Sequence, residues 1–365
     1  MRTKVISWFI TPHGFGHAAR SIAIMEALNF LDERVKFEIF TCVPDSFFKQ
    51  AKINYNYNYF KCDIGLIQKD AFTEDLDSTL NELNSFLPFS REAIKNLSDI
   101  VRNKNTVLIV CDIAPIGIIV ALTAGLPSVL VENFTWDWIY ENYLSINIGF
   151  RRHVDYLRYV FNQASFIIQT EPVCLYRDNA SLIVNPVARK IRVSRDEMRR
   201  QILGDNYLSK KIVLISIGGI KQNFNFLELL SKYQNFFFII TGSDYKIDKV
   251  KNTLFLKFDS TFFHPDIVNA SDAVIAKLGY STVAEVFLAG VPFGYIPRLL
   301  FRESECLINF VNKKMFSCCI DYNDFQQGTW LELLDKLCSF NIISRNDDLK
   351  DGALKVAEFL MSKIY

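Results

Sequence analysis

The sequence predicts an α/β protein of two doubly wound domains, each built on a parallel sheet with helices on both faces. Short apolar runs rich in β-branched and aromatic residues alternate with longer amphipathic stretches, which is typical of buried parallel sheets. About eleven such runs occur, more than one ordinary sheet holds. The 365 residues suffice for two domains. A turn signal at Asn185-Pro186 and a capping box at Ser194-x-x-Glu197 place the boundary between residues 1–188 and 189–365.

The predicted strands can be placed in chain order. They are residues 4–10, 35–41, 106–111, 127–132, 165–169, 211–217, 235–240, 252–257, 272–275, 293–296 and 316–320. Residues 52–90 form the least regular segment, which we interpret as a long insertion over the first domain. Prolines and glycines break the uncharged stretch 113–131 into helix, turn and strand, which disfavours a membrane span.

Composition excludes several classes of function. The 41 Lys and Arg nearly balance the 40 Asp and Glu, so nothing overall marks a nucleic-acid binder. A chain that is 50% hydrophobic is not intrinsically disordered. Four His, and eight Cys without a C-x-x-C pair, give no support to a metal site. The N-terminal apolar run is too short for a signal peptide, and free thiols suit the cytoplasm, where we expect the protein.

A glycine loop joins the first strand to the first helix, with two histidines around its glycines. Such a loop lies at the carboxyl edge of a parallel sheet, where ligands bind. Its candidate residues are His13, Gly14, Phe15, Gly16 and His17. Three interpretations stay open: a dinucleotide-binding loop matching G-x-G-x-x-A, a structural turn, and a catalytic loop with an imidazole as general base.

Two further strand ends of the first domain carry candidate residues. Asp112 follows strand 106–111, where it could orient a histidine or act as a base. Strand 127–132 leads into an aromatic segment that suits an acceptor or sugar-stacking platform. The candidates there are Asn133, Phe134, Trp136, Asp137 and Tyr140. Packing of these rings in the core is the alternative.

Two strands of the second domain also end at glycines, and a helix begins just after the later one. The N–H groups and hydroxyls of that helix start suit a diphosphate, and Glu285 suits two vicinal ribose hydroxyls. Thr282-x-x-Glu285 is equally a capping box, which is the structural alternative. The candidate ligand residues of this domain are Gly218, Gly219, His264, Gly279, Tyr280, Ser281, Thr282, Glu285, Arg298, Arg302 and Glu303.

At these positions the chain resembles the GT-B glycosyltransferases. The segments are HGFGHAARS, CDIAPIG, ENFTWDWIY and KLGYSTVAEVFLAGVPFGYIPRLLFRE. They are similar to the glycosyltransferase-like N-terminal portion of plant arabinokinases. More distantly, they resemble the transferase that adds N-acetylglucosamine to the lipid intermediate of peptidoglycan. The likeness covers nearly the whole chain and is specific for the family, not for a substrate.

The resemblance implies two Rossmann-like domains facing across a cleft, with the acceptor on the first, the donor on the second and the last helix packed back on the first. It implies metal-independent, inverting transfer from a nucleotide diphosphate sugar, expected to be UDP-linked, to a hydroxyl acceptor. No other cofactor is expected. His17 is then the base, with His13 as second candidate. The segment GYSTVAE binds the diphosphate and, through Glu285, the ribose.

The sequence leaves the sugar and the acceptor open. Phe301-Arg302-Glu303 stands where the peptidoglycan enzyme has glutamines near the donor sugar. The acceptor is a small molecule, a glycan or a lipid-linked molecule. The basic segment 189–200 is a solvated helix face, or it touches anionic lipid at the membrane periphery. A non-catalytic nucleotide-sugar sensor and a GT-B-fold epimerase or hydrolase are the alternative functions.

Overall fold

The structure, a computed structural model, describes residues 3–206, 208–218, 224–242, 251–257, 260–343, 349 and 351–364. Their contacts form two compact units that divide at Ala188 and Arg189. The first unit holds the described residues up to Ile67, Glu74–Ala188 and the C-terminal helix. The second holds Gln68–Thr73 and the described residues from Arg189 to 343. Gly219, a predicted ligand residue, lies outside the described residues.

The first unit contains a parallel sheet with the strand order β3-β2-β1-β4-β5-β6-β7. Its strands are β1 Lys4–Ile10, β2 Val35–Thr41, β3 Tyr55–Tyr59, β4 Thr106–Asp112, β5 Ser128–Glu132, β6 Phe166–Thr170 and β7 Leu182–Val184. Its helices up to residue 161 are α1 Gly16–Leu31, α2 Asp45–Phe48, α3 Leu76–Phe86, α4 Arg91–Asn103, α5 Pro115–Ala124, α6 Trp136–Glu141 and α7 Arg151–Phe161. The strand order reverses between β1 and β4, which is where doubly wound sheets bind ligands.

The second unit repeats this plan with the strand order β10-β9-β8-β11-β12-β13, again parallel throughout. Its strands are β8 Lys211–Ser216, β9 Phe236–Thr241, β10 Thr253–Leu256, β11 Ala273–Lys277, β12 Phe293–Ile296 and β13 Ser317–Cys319. Its helices are α8 Arg195–Leu203, α9 His264–Ala270, α10 Tyr280–Ala289, α11 Glu303–Lys314, α12 Tyr322–Gln327 and α13 Leu334–Leu337. The reversal here lies between β8 and β11.

The eleven predicted strands are all present, and most of them are buried apolar runs. Strands β10 and β13 are only partly buried. The sequence predicts neither β3 nor β7. Strand β3 lies inside the segment predicted as an irregular insertion, and its Tyr–Asn alternation lacks the aliphatic side chains of a buried strand. As an edge strand it is half-exposed, and Asn56 donates to Glu38 of β2 at 2.6 Å.

The last helix, α14 (Gly352–Ile364), packs on α1 in the first unit. Val356, Ala357 and Leu360 are fully buried in the same core cluster as Ile22 and Met25. A Cβ at Gly352 would lie 2.5 Å from the carbonyl oxygen of Asn185, so the helix start approaches the backbone closely. The C-terminal residues therefore complete the core of the first unit.

Candidate active site

The first helix brings His17 to the end of β4. Because α1 starts at Gly16, His17 lies in its first turn, and its Nδ1 is 2.9 Å from Oδ1 of Asp112, the last residue of β4. His17 is 8% exposed and Asp112 is fully buried. The strand reversal between β1 and β4 thus carries a histidine paired with a carboxylate.

Arg20 lies one turn further along α1 and binds the same carboxylate, which sequence reasoning missed. Its Nη2 donates to Oδ1 of Asp112 at 2.6 Å, and its Nε donates to Oδ2 at 2.9 Å. Its Nη1 donates to Asn133 at 2.8 Å and to Thr170 at 3.2 Å. The guanidinium, 1% exposed, therefore ties together the ends of β4, β5 and β6.

The electrostatics of Asp112 fix the proton on His17. Burial alone would raise the pKa of Asp112, but Arg20 and His17 hold that pKa below its usual value. An ionised carboxylate only accepts hydrogen bonds, so Nδ1 of His17 carries the proton that it donates to Asp112. Nε2 of His17 then carries the lone pair, as a general base requires.

His13 has the opposite arrangement. Its Nδ1 accepts the backbone N–H of Leu66 at 3.3 Å, so a neutral ring carries its proton on Nε2. A Cβ at Gly65 would lie 2.9 Å from the ring, and the edge of the ring meets Trp136 at 5.1 Å between centroids. The loop around residue 65 thus holds His13 as a hydrogen-bond donor.

Asp63 is a second residue that sequence reasoning missed. It is 5% exposed and accepts from Thr11 at 2.8 Å and from the Trp136 indole at 3.2 Å. Burial raises its pKa to about 7, against the lowering effect of these two donors. A carboxyl group between the end of β1 and α6 gave no sequence signal, because it lies in an irregular segment.

The aromatic segment after β5 is packed inside the first unit. Trp136 and Tyr140 are each 1% exposed and stack at 5.8 Å between centroids, and the Tyr140 hydroxyl donates to the carbonyl of Gly65 at 2.5 Å. The edge of Phe134 meets both Trp136 and His17. This burial favours the core-packing alternative. Trp136 and Tyr140 nevertheless line a small cavity with Asp63.

The other predicted acceptor residues are divided between the network and the surrounding loops. Asn133 is fully buried and accepts from Arg20, and Asp137 is 6% exposed beside Arg158 at 3.4 Å. Phe15 stacks on Phe47 at 5.0 Å. Gly14 has φ +73°, and a Cβ there would meet nothing within 4 Å. Only Asn133 among these four touches the histidine–carboxylate network directly.

The second unit has a matching edge at β8 and β11. Gly218 follows β8 with φ +86°, and Gly279 caps α10. A Cβ at Gly218 would lie 3.6 Å from the Nζ of Lys277, the last residue of β11. Ser281 and Thr282 are half-buried in the first turn of α10, behind the buried Tyr280. Lys277 was not among the predicted ligand residues, although it precedes the glycine by two positions.

Glu285 is engaged within the second unit. Its Oε1 accepts twice from Arg189, at 3.1 and 2.9 Å, and its Oε2 lies 2.7 Å from Nδ1 of His264. Its side chain is only 2% exposed. No side chain caps α10 at Gly279, so the predicted capping box is not formed. The carboxylate that the sequence assigned to a ribose therefore holds an arginine and a histidine here.

The end of β12 carries a second buried charge pair. Arg298 is 5% exposed, packs on the Phe301 ring at 3.6 Å and lies 3.9 Å from Glu303, which is 3% exposed. Arg302, half-buried, occupies the N-cap position of α11 without a capping hydrogen bond from its side chain. This pair lies at the same edge of the second sheet as the glycine turns.

The predicted basic segment 189–200 is partly used inside the second unit. Arg189 and Arg199 are buried, and Arg195 and Arg199 both bind Asp272, at 2.8 and 2.9 Å. Lys190, Arg192 and Arg200 are exposed. These three basic residues face solvent most fully, while the Arg195 side chain is 26% exposed. Across the described ranges, no helix combines the length and apolar character that crossing a membrane requires, and no three His, Cys, Asp or Glu residues group as metal ligands.

Comparison with known proteins identifies the family to which this chain belongs. The sequence model of the family described as Glycosyl transferase family 1 matches residues 5–337. L-arabinokinase of Arabidopsis thaliana is 26% identical over 343 residues, which are 92% of this chain and 32% of that protein. The chain thus spans about a third of that relative's length.

Solved structures share the fold at low sequence identity. A glycotransferase of kitacinnamycin has a TM-score of 0.68 at 13% identity, covering all of both chains. Medicago truncatula UGT71G1 complexed with UDP-glucose gives 0.63 at 13% identity, covering 99% of this chain and 98% of that one. Acinetobacter baumannii MurG gives 0.59 at 12% identity, covering 98% and 99%. These findings confirm the predicted resemblance and the predicted fold class, two parallel-sheet α/β domains of the GT-B type.

Proposed function

Because this chain belongs to glycosyl transferase family 1, we propose that it moves a sugar from a nucleotide diphosphate sugar to a hydroxyl acceptor, with inversion and without a metal ion. The observation that carries the proposal is the His17–Asp112 pair, with Arg20 behind it. It supplies a base whose lone pair is on Nε2, at the ligand-binding edge of the first sheet.

In the proposed step, Nε2 of His17 takes the proton of the acceptor hydroxyl while its oxygen attacks the anomeric carbon. Direct displacement of the diphosphate from the opposite face inverts that carbon. Asp112 keeps the proton on Nδ1 and stabilises the imidazolium that forms, as the carboxylate does in the serine-protease triad. Since Nε2 of His13 carries a proton, His13 is suited to bind the acceptor and not to deprotonate it.

The second unit is suited to the donor. The start of α10, at Gly279, Ser281 and Thr282, offers N–H groups and hydroxyls to a diphosphate. Lys277, beside the Gly218 turn, adds a positive charge that would offset the charge on the departing diphosphate without a metal. The fold is shared with a protein solved with UDP-glucose and with one solved with dTDP, and of these we propose a UDP-linked donor.

A nucleotide panel tests the donor proposal first. UDP, GDP, dTDP and CDP are added in turn, and the melting temperature is measured. A ligand at 100 times its Kd stabilises the native state by about 2.7 kcal/mol. We expect the largest upward shift with UDP. No shift with any of the four would contradict a nucleotide diphosphate sugar as the donor.

Two histidine variants test the base. His17→Ala should lower the rate at which the nucleoside diphosphate is released by about 10²–10⁴-fold. The affinity for the nucleotide should not change, because only the proton transfer is lost. His13→Gln is the matched control from the same loop, since its amide can accept from Leu66 and still donate. It should keep the pH profile of turnover. Near-normal turnover of His17→Ala, or loss of the acidic limb of the pH profile in His13→Gln, would reverse the assignment.

A further inference from the structure

Three side chains from three elements of the second unit meet in a row. Ser216 is the last residue of β8, His264 is the first residue of α9, and Glu285 lies in α10. Ser216 Oγ is 3.0 Å from Nε2 of His264, and Nδ1 of His264 is 2.7 Å from Oε2 of Glu285. A hydroxyl, an imidazole and a carboxylate at these separations reproduce the geometry by which a nucleophilic triad is recognised.

The hydrogen-bond directions also follow the order of a triad. Thr241 Oγ1 donates to Ser216 Oγ at 3.1 Å, which leaves the hydroxyl proton of Ser216 directed at Nε2 of His264. Nε2 is then the acceptor, so Nδ1 carries the ring proton and donates it to Glu285. The imidazole thus presents its lone pair to the serine hydroxyl, as a base that activates a nucleophile must.

The carboxylate is held ionised and in place. Burial would raise the pKa of Glu285, but Arg189 and His264 lower that pKa to about 2. Arg189 occupies only Oε1, which leaves Oε2 for the imidazole. The His264 side chain is 24% exposed while that of Glu285 is 2% exposed, so solvent approaches the row from the histidine side.

We propose that Ser216, His264 and Glu285 form an acyl-transfer centre that hydrolyses carboxylic esters, an activity separate from glycosyl transfer. Ser216 Oγ attacks the ester carbonyl carbon, and His264 takes its proton. The acyl C–O bond then breaks, and His264 returns the proton to the departing alcohol. Water, deprotonated by the same imidazole, cleaves the acyl-serine to the carboxylic acid. Lys277, beside the Gly218 turn that follows Ser216, offsets the negative charge on the tetrahedral intermediate.

The test uses the full chain and p-nitrophenyl acetate. Wild type should release p-nitrophenolate above the buffer rate, with one acetyl group recovered on the peptide that contains Ser216. Ser216→Ala should fall to the buffer rate. Ser231→Ala, which removes an exposed serine of the same unit, should stay within about twofold of wild type. An unchanged rate in Ser216→Ala, or an acetyl group found only on another residue, would overturn the proposal.

Glu285→Gln supplies a second readout. An amide facing Nδ1 no longer favours the tautomer that accepts from Ser216, and in a serine-protease triad the same change costs about 10⁴-fold. We expect at least a tenfold lower acetylation rate at saturating reagent, with far-UV circular dichroism unchanged. An undiminished rate in a folded Glu285→Gln protein would exclude the triad. Because these assays contain no nucleotide sugar, their failure leaves the glycosyl-transfer proposal standing. Failure of the glycosyl-transfer assays likewise leaves the ester-hydrolysis proposal standing.

Discussion

Replacing Arg20 with methionine tests whether this buried cation maintains the proposed base. The substitution keeps a long side chain but removes both bonds to Asp112 and those to Asn133 and Thr170. Asp112 would stay fully buried with only His17 and Ser21 as partners. Removing one partner of a buried ion pair costs about 3–5 kcal/mol, because the other charge is left uncompensated.

The expected magnitude is large enough for routine measurement. For a unit of this size, each kcal/mol shifts the melting temperature by about 2–4 °C. Arg20→Met should therefore lower the melting temperature of the first unit by about 6–20 °C at pH 7. Three of the four tryptophans, Trp8, Trp136 and Trp138, belong to the first unit, so tryptophan fluorescence reports mainly on that unit.

The stability lost in Arg20→Met should also depend on pH, and the direction of that dependence can be stated. The pKa of Asp112 is depressed in the folded protein, so its pairing contributes stability above the ordinary aspartate pKa and loses it as the pH falls. The gap between Arg20→Met and wild type should accordingly be full at pH 7 and narrow in acid. In Arg20→Met/Asp112→Asn, where both charges are gone, the cost should be less than the sum of the single costs.

Arg34 provides the matched control. It makes the same type of two-point contact with Asp32, at 2.8 Å for each bond, but its side chain is 45% exposed. Arg34→Met should therefore cost no more than about 1 kcal/mol. If Arg20→Met costs as little as Arg34→Met, or if the double variant is fully additive, Arg20 does not stabilise Asp112 as a buried ion-pair partner.

Three further outcomes are expected. Gly65→Ala and Gly14→Ala both place a side chain at positive φ, but only a side chain at residue 65 meets the His13 ring. Gly65→Ala should therefore lower the free energy of unfolding, measured by urea titration, by about 1–3 kcal/mol more than Gly14→Ala does. Asp63 has a pKa of about 7 when folded and its ordinary value of 3.8 when unfolded, so its ionisation should cost up to about 4 kcal/mol of stability as the pH rises from about 4 to 7. Asp63→Asn should lack that contribution, so the difference in melting temperature between variant and wild type should change by that amount over this pH range. Lys277→Met should weaken UDP binding by about tenfold and uridine binding hardly at all, as measured by calorimetry; equal losses for both would place the lysine away from the phosphates.

The sequence predicts the fold well because parallel strands are buried on both faces. A run such as residues 106–111 carries its own signal, since every side chain must be apolar whichever way it points. Strand β3 escapes this rule because it lies at an edge, where Asn56 can satisfy Glu38. The same reasoning locates candidate sites at strand ends, since the carboxyl edge of a parallel sheet is fixed by strand order.

What the sequence could not predict is which polar groups pair with one another once they are buried. Arg20 is three residues after His17, a spacing that places both on one helix face, and that signal could have linked both to the end of β4. Asp63 offered no such signal, because nothing periodic relates a loop carboxyl group to a tryptophan 73 residues later. Local patterns place residues on elements, whereas partners across the fold depend on packing.

Glu285 shows how partners that the sequence does not predict can affect a functional assignment. Its place in the GYSTVAE segment predicted a ribose contact, yet in the folded chain its oxygens accept from Arg189 and His264. A ribose diol that displaced His264 from Oε2 would release the imidazole from the carboxylate and from Ser216 together. Binding of a nucleoside in that way and an assembled Ser216–His264–Glu285 row are mutually exclusive. UDP should accordingly inhibit ester hydrolysis if Glu285 holds the ribose, and should leave it unchanged if the nucleoside binds elsewhere.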